Sequence, residues 1–588
     1  MPTFTSFLPV KLLQAAYGGL RGPLLAALLA LIVGIPCALM LPPMDRDESR
    51  FAQASSQMLE SHDYININLQ NVPRHKKPVG IYWLQALCVK MTTGVAARDI
   101  FPYRLPSLIG AALAAFACAW GAAKAFGTRV GTKAGLLFAV AFVLAWEASS
   151  ARTDALLCGT TTLMMAALAR LYLGTRALDP EAPNPDTKRP KFLKEKLIFW
   201  LSMAATILLK GPIGPMVLAT TLLALWVWDV LVLKNKTQWI RHLGWGWGLC
   251  LLALICGPWA VAITITTDGA FWTHAIGGDL ASKVDGGSEG HSGLPGYHTV
   301  LLALTLFPAS WLLGGAIQTA VFRRHEAAIR FALCWFLPAF LVFELTPTKL
   351  PHYPLPTFAA LIWLCAVSLD VPLKGWARGI NWTLGLLGGI LFTAVAVVGF
   401  QKFGPPHAIV FVVLTGISAV GIAAFAAWLL WRQHPRYGFG FLLAAGFLTH
   451  LCIVSLAVSL KPIWVSNAMR QALVSAHLDP RQGIAPGPVA VLGYNEPSFV
   501  FAEGTKTQLL DTNANGAVDA LQDGRPLFVE QRDQAAFLNA AANAGLTPHA
   551  VSQVKGFDYS NGKPVVLTLY DNPPPVDPTA PTTAIAGQ

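Results

Sequence analysis

Charge is scarce in this sequence. Of its 588 residues 13% are Asp, Glu, Lys or Arg, against roughly a quarter in ordinary soluble domains, while 54% are hydrophobic. That scarcity excludes an ordinary soluble domain and points to a membrane protein before any motif is read. Acidic residues are the rarer sign, 31 against 43 Lys and Arg, for a net charge of +12. In a soluble protein such an excess would suggest nucleic acid. In a membrane protein Lys and Arg concentrate in cytoplasmic loops, so no nucleic-acid partner is expected. Cysteine pairs are missing too. The nine cysteines, Cys37 to Cys452, lie in or beside apolar segments, and none shows a C-x-x-C spacing. Neither a zinc ribbon nor a redox pair is indicated, and whatever follows Cys452 folds without disulfides. Lys11 and Arg21 precede the first apolar run without a convincing small-residue cleavage site after it, so an uncleaved first span is expected. No internal repeat is visible.

What is abundant is long apolar sequence. A membrane-crossing helix needs about 20 mostly apolar residues. By that rule spans fall near 22–42, 104–127, 132–150, 154–173, 196–209, 212–233, 243–265, 298–321, 327–345, 354–370, 378–399, 406–431 and 437–460, about thirteen in all. The run Val79–Lys90 is too short to cross and reads as an interfacial helix, with Tyr82 and Trp83 suited to the headgroup zone. With the N-terminus taken as cytoplasmic, alternate loops carry Arg129 and Lys133; Lys188 to Lys196; Lys234, Lys236 and Arg241; Arg323, Arg324 and Arg330; Lys374 and Arg378; Arg432 and Arg436. Each is basic, as the positive-inside rule expects, which puts the N-terminus inside and the C-terminus outside.

From Lys461 the character changes. Ser466–Leu478 reads as a helix, Val489–Tyr494, Phe499–Phe501 and Pro526–Glu530 as strands, and Arg532–Ala544 as a second helix. Asp558–Tyr570 holds an Asn561-Gly562 turn followed by an alternating strand, a hairpin signal. The expected organisation is a membrane domain over 1–460, with outer loops at 43–103 and 266–297, a small outer α/β domain over 461–571, and a disordered tail rich in Pro, Thr and Ala over 572–588.

The expected topology sorts the remaining charges. Asp45, Arg46, Asp47, Glu48 and Arg50 open the first outer loop, which also holds Arg74-His75-Lys76-Lys77. Arg152 and Asp154 lie in the second outer turn, Lys210 in the third, and His274, Asp279, Lys283, Glu289 and His291 in the fourth. The fifth is Thr346-Pro-Thr-Lys349-Leu-Pro351-His352-Tyr353. Charge at a membrane boundary is expensive, and several such groups on one side mark a functional site. Lysines on the outer face run against the positive-inside bias, so Lys77, Lys210 and Lys349 are informative. Each alone reads equally well as a snorkelling lysine at a helix end. Three beside Gly or Pro at one interface suit a phosphate on a lipid. Asp47 also reads as the cap of an amphipathic helix over Ser49–Leu59, Glu147 as a partner of Arg152, and Tyr353 as an interfacial aromatic. His274 and His291 with Glu289 or Asp279 are weak metal candidates, since their spacing matches no standard zinc pattern.

These pieces in this order resemble a known family. Asp47-Glu48-x-Arg50-Phe-Ala after the first span, Lys77-Pro78 followed by Tyr82-Trp83, Asp154 opening a span, Lys210-Gly211, Lys349-Leu-Pro351-His-Tyr353 and the later Gly493-Tyr494-Asn-Glu-Pro-Ser498 look like the lipid A aminoarabinose transferases. These are GT-C-type membrane glycosyltransferases, more distant relatives of the protein O-mannosyltransferases. The resemblance covers the whole chain. It implies thirteen spans, a polyprenyl-phosphate sugar donor, transfer to lipid A or a related envelope glycolipid, and a bacterial inner-membrane enzyme working on the periplasmic side as a monomer. Carried over residue by residue, it makes Asp47 and Asp154 catalytic. It gives Arg50, Lys77, Lys210, Lys349 and Tyr353 to the donor phosphate, with Glu48, Arg152, His291 and His352 in support. No cofactor is required by it, and a divalent metal stays open. One place departs: where the family usually carries an acid before the first-loop lysine, this chain has Lys76, which leaves the sugar open. Rival readings are the same chemistry with another acceptor, a core sugar or a protein, and a lipid or sugar transporter. The absence of repeats and the gathering of charge at one face disfavour the transporter.

Overall fold

The computed structural model describes residues 19–176, 192–234, 238–285 and 292–571. Lys11, Lys188, Arg189, Lys191, Lys236, Glu289, His291 and the tail 572–588, with the expectations placed on them, lie outside the described residues. The chain forms two compact units. Among the described residues, one comprises Pro42–Gln57, Ala96–Arg98 and 460–571; the other holds the rest. The loop expected over 43–103 is thus divided between them.

The helical unit starts with α1 (Arg21–Met40). The helix α2 (Asp47–Ser61) begins in the second unit. Then follow a two-residue hairpin, β1 (Asn68–Leu69) with β2 (Val72–Pro73), and α3 (Gly80–Met91), α4 (Phe101–Phe126), α5 (Thr128–Ala139), α6 (Phe142–Ala148), α7 (Asp154–Arg176), α8 (Leu193–Lys210), α9 (Ile213–Val227) and α10 (Trp245–Thr266). After a helical stretch over 270–285 come α11 (Tyr297–Thr305), α12 (Leu313–Arg323), α13 (Ala327–Leu345), α14 (Leu355–Ser368), α15 (Gly375–Phe403), a largely helical span α16 (Pro406–Trp431) and α17 (Pro435–Ser459). Helices dominate because a lipid-facing backbone must satisfy its own hydrogen bonds.

Each of the thirteen apolar stretches is helical, though fewer than thirteen helices are by themselves both long and apolar enough to cross a membrane. Among the described residues nine helices are long and apolar enough to cross, or eleven if the bent pairs α5 with α6 (60°) and α11 with the helical residues 309–323 (104°) each make one span. The helix α8 carries charges in both its end turns, and α14 has 14 residues, short of the membrane's thickness. Large apolar side chains such as Leu28, Leu254 and Val261 are more than half exposed, a surface that suits lipid. The unit's core is aromatic, with Trp200, Trp311, Trp335 and Trp363 fully buried. Tyr82 departs from the interfacial expectation: it is buried, and Arg74 donates to its hydroxyl at 3.3 Å.

The second unit is an α/β sandwich. Its helices are α18 (Val465–Ser475), α19 (Pro497–Glu503), α20 (Ala514–Gln522) and α21 (Gln534–Asn543). Its strands β3 (Ala490–Leu492), β4 (Gln508–Leu509), β5 (Leu527–Glu530), β6 (His549–Asp558) and β7 (Lys563–Asp571) lie in the order β4-β3-β5-β7-β6. The pairs β3–β4 and β3–β5 are parallel, while β5–β7 and the β6–β7 hairpin are antiparallel. Strand alternation gives the sheet two covered faces. Val491, Phe528 and Leu569 pack with Met469 and Phe499, whereas Ala490, Leu492, Leu527 and Val529 pack with Leu521 and Phe537. Phe499–Phe501 is helical and not a strand. Pro497 occupies a first-turn position that tolerates its missing N–H, and Gly504, at φ +119°, ends the helix. β-propensity of Phe-Val-Phe loses there to local turn chemistry.

Candidate functional site

The charged ends of several helices of the first unit converge on one cavity of about 540 Å³. Two glycines make the approach possible. A Cβ at Gly80 would meet the Leu208 carbonyl oxygen at 2.7 Å, so glycine lets α3 sit against α8 and brings the Lys77 loop near the end that carries Lys210. Gly211, at φ +59°, then stops α8 directly after Lys210 and turns the chain into α9. Asp154 opens α7, where a carboxylate is favoured by the helix dipole.

In the cavity Lys210 Nζ donates to Asp154 Oδ1 at 2.5 Å and lies 5.4 Å from the centre of the Tyr353 ring, within cation–π range. His352 links two carboxylates: its Nε2 is 3.7 Å from Asp154 Oδ1 and its Nδ1 is 3.5 Å from Glu147 Oε1. Arg152 donates to the same Glu147 oxygen at 2.9 Å, so the Glu147–Arg152 pair expected from the sequence is present. Across the cavity Lys77 Nζ donates to Asp279 Oδ2 at 3.1 Å, and Lys283 Nζ donates to the same oxygen at 2.7 Å. Burial, and next the Lys283 ammonium, push Lys77 down to about 7 despite Asp279. Against the opposing effect of burial, Lys77 and Lys283 hold Asp279 below the usual carboxylate range.

The charged lining is Lys76, Lys77, Lys210 and Lys283 against Asp154 and Asp279, an excess of two positive charges. The remaining wall is apolar: Leu157, Ile213, Met216, Phe271, Ile276 and Phe343 among others. A basic floor with apolar walls is shaped for an anion attached to a hydrocarbon. Lys283 was not among the expected site residues. Its signal was the i, i+4 spacing from Asp279 on a helical stretch.

Lys349 is elsewhere. It is buried, and its Nζ donates to the carbonyls of Phe343, Glu344 and Thr346 at 3.3, 2.5 and 2.7 Å, capping the end of α13. A cation there complements the helix's negative end. Glu344, one turn back, accepts from the backbone N–H groups of Gly296, His298 and Thr299 at the start of α11.

The first-loop motif belongs to the second unit. Asp47 starts α2, two residues before the expected start at Ser49, and its side chain is 47% exposed, with Arg50 Nη1 3.5 Å from its Oδ1. Glu48 is buried and accepts from the Met44 N–H at 2.8 Å. Asp45 accepts from the Ser498 hydroxyl, and its own N–H donates to the Tyr559 hydroxyl oxygen at 2.6 Å. Arg46 Nε is 3.9 Å from Glu496 Oε1. Burial pushes the Asp45 carboxyl up to about 7 against the Ser498 hydrogen bond, with Glu496 and Asp558 adding to the rise.

Among the described residues no group of three or more His, Cys, Asp or Glu is arranged to hold a metal ion. His274 meets His75, their ring centres 5.8 Å apart.

No family model matches the chain. It is similar to the undecaprenyl phosphate-alpha-4-amino-4-deoxy-L-arabinose arabinosyl transferase of Pseudomonas aeruginosa (strain LESB58), 26% identical over 454 residues, 74% of this chain and 75% of that protein. The protein of the same name from Pectobacterium carotovorum subsp. carotovorum (strain PC1) is 27% identical over 392 residues, 65% of this chain and 66% of its own length. Among solved structures, ArnT from Cupriavidus metallidurans bound to undecaprenyl phosphate superposes with a TM-score of 0.68 at 18% identity, covering 92% of this chain and 97% of that one. The fold is therefore that of a polytopic helical membrane protein with a small α/β domain after the helices. The resemblance to the aminoarabinose transferases, read from the motifs, is borne out.

Proposed function

We propose that the chain is an integral-membrane glycosyltransferase that moves a sugar from an undecaprenyl-phosphate donor to lipid A or a related envelope glycolipid. The observation that carries this reading is the cavity in which Lys77, Lys210, Lys76 and Lys283 outnumber two aspartates beneath apolar walls. The isoprenoid suits the walls and the phosphodiester suits the lysines. Transfer breaks the bond between the sugar's anomeric carbon and the phosphate oxygen. The electron pair leaves with the polyprenyl phosphate, and the acceptor oxygen forms the new bond. Lys77 and Lys210, with Tyr353 beside Lys210, take up the charge that grows on the leaving phosphate, so they act on the transition state as well as on binding. Asp154 holds the Lys210 ammonium, and His352 and Glu147 with Arg152 hold Asp154 in turn.

For a hydroxyl acceptor, Asp47 takes the proton as general base. A lipid A phosphate arrives already anionic, and Asp47 then orients groups around it. Arg50, 3.5 Å from Asp47, keeps its expected part in donor binding. Lys349 fits that part less well, since its ammonium is engaged by three carbonyls of α13 and the turn after it. The enzyme sits in the bacterial inner membrane as a monomer, with a cytoplasmic N-terminus and a periplasmic α/β domain over 461–571. A divalent metal remains compatible with the reaction.

A second reading concerns the sugar. Both cavity carboxylates are engaged by lysines, and Lys76 adds a further cation, an arrangement that favours a neutral or acidic sugar over an amino sugar. The test for both is an in vitro transfer assay with undecaprenyl-phosphate-linked aminoarabinose, neutral hexose and uronic acid, with lipid A as acceptor, read by mass spectrometry. Sugar-modified lipid A from any donor supports the enzyme; no product from the whole panel counts against it. Preference for aminoarabinose discards the second reading.

A further inference from the structure

The second unit does more with the first-loop motif than follow it in the chain. Residues Pro42–Gln57 and Ala96–Arg98, separated from the α/β domain by hundreds of residues of sequence, are part of its compact unit. The ties come in two groups around the start of α2. At the front, Ser498 donates to Asp45 Oδ1, Ser466 and Ser498 share a hydrogen bond of 2.6 Å, and the Asp45 N–H reaches the Tyr559 hydroxyl oxygen at 2.6 Å. Further along, Gln53 Nε2 donates to Thr505 Oγ1 at 2.7 Å, and Arg98 donates to Gln53 Oε1 at 2.8 Å and to Thr505 Oγ1 at 3.4 Å. Arg481 fastens the second loop segment by donating to the Ala96 carbonyl at 2.9 Å and to the Ala502 carbonyl at 2.7 Å. Between the two groups stand Asp47 and Arg50, the former 47% exposed.

Residues 45 and 53 are thus both fixed to the α/β domain, and the turn between them carries the half-exposed Asp47. Hydrogen bonds to a carboxylate and from a backbone N–H fix direction as well as distance. A reacting carboxylate must be held to within a fraction of an ångström by groups whose own positions are set by packing. Ser466 and Ser498 meet that condition, being buried at 6% and 1% exposure.

We propose that the α/β domain serves the reaction by positioning the Asp47 turn of α2, with Ser498, Tyr559 and Thr505 as the positioning residues. This rests on the glycosyltransferase reading and on Asp47 taking part in it. The domain is then a bracket for one side chain and need not itself touch donor or acceptor.

The test uses the full chain in lipid nanodiscs, with undecaprenyl-phosphate-linked aminoarabinose and lipid A as probes, and follows kcat, donor KM and the unfolding midpoint together. Ser498→Ala, Tyr559→Phe and Thr505→Val each lower kcat about fivefold or more while donor KM stays within about twofold, because the cavity lysines are untouched. Ser498→Thr, which keeps the hydroxyl, restores most of kcat. Placed on Asp47→Asn, the same substitutions cost nothing further, since they act through a group already disabled. Losses that multiply in the Asp47→Asn background, or that appear in KM as much as in kcat, overturn the proposal. So does an unchanged kcat in all three variants. Should Ser498→Ala lower the unfolding midpoint strongly, Thr505→Val, at a half-buried site, decides. If Asp47→Asn alone keeps normal turnover, the role of Asp47 falls first, and that result is distinct from failure of the three positioning variants.

Discussion

The lysine cavity of the helical unit and the carboxylate cluster of the second unit both withdraw charge from water, with opposite signs and by different means. In the cavity each aspartate is met by lysine, Asp154 by Lys210 and Asp279 by Lys77 and Lys283, and positive charge is left over. In the cluster Asp45, Glu496 and Asp558 are met by neutral donors: Ser498 on Asp45, Ser560 on both Glu496 and Asp558 at 2.5 Å, and the Asn561 amide on Asp558 at 2.7 Å. Hydroxyls fix geometry without supplying charge, so burial raises Asp45 and Glu496. The first arrangement carries more lysines than aspartates, which is why the proposed function places an anion there. The second is held by hydrogen bonds within its own unit, although Glu496 Oε2 is buried without a hydrogen-bond partner. One has the character of a binding site, the other of a joint, and substitutions can separate the two.

The largest effect should come from Lys210→Ala. It leaves the buried Asp154 without its closest cation, and breaking a buried pair costs roughly 3–5 kcal/mol. Transfer should fall about 100-fold or more, as when a transition-state charge partner is removed. Undecaprenyl phosphate should also cease to raise the unfolding midpoint. A variant that melts and binds like the parent would take this pair out of the site. Next is Asp47→Asn, on the joint's side of the comparison. Turnover should drop at least about tenfold with folding and undecaprenyl phosphate affinity intact, as expected for a general base or an orienting group. An equal loss of phosphate affinity would instead make Asp47 part of the binding site.

How much of this could be read beforehand differs between the regions for physical reasons. The helices were legible because lipid demands long apolar runs, and every expected stretch is helical. Length and apolarity alone do not single out α8, with charges in both end turns, or α14, with 14 residues, as crossings. Lys77, Lys210 and Asp154 stood out as outer-face charges beside Gly, Pro or a helix start, and they do meet at one cavity. Lys349 carried the same signal and caps a helix instead. A lysine beside a proline at a helix end is the same pattern whether it faces a ligand or a row of carbonyls. The partnership of Asp45 with Ser498 and Tyr559 spans more than 450 positions in sequence, and nothing local announces it. Lys283 had its i, i+4 spacing from Asp279 as a signal, but the spacing alone gives no reason to place the pair in a site.

A smaller effect should appear in pH dependence. Burial and Lys283 keep the Lys77 pKa at about 7, and a bound phosphate would raise it by favouring the charged form. Undecaprenyl phosphate affinity should therefore be level below about pH 7. Above it, binding must take up a proton, and affinity should decline by up to about tenfold per pH unit until the raised pKa of the complex is passed. Lys77→Gln should bind more weakly and show a shallower decline. A parent profile that is flat from pH 6 to 9 in a lipid-titration experiment would deny Lys77 a place next to the phosphate.

The smallest expected effect on activity sharpens the comparison most, because it concerns a lysine that sequence and structure assign differently. The Lys349 ammonium donates to the carbonyls of Phe343, Glu344 and Thr346, so Lys349→Met keeps the apolar stem and deletes the donor. Buried carbonyls that lose a charged donor cost about 1–3 kcal/mol, which should appear as a lower unfolding midpoint. Undecaprenyl phosphate affinity should change by less than about threefold, against a much larger loss in Lys77→Gln. The contrast holds because an ammonium spent on three carbonyls has no donor to spare for a phosphate unless α13 gives up its cap. The reverse pattern, an intact midpoint with affinity lost, would mean that donor binding does pull Lys349 off the helix. The cavity would then gain a third cation on the leaving group, and the end of α13 would become a moving part of the reaction.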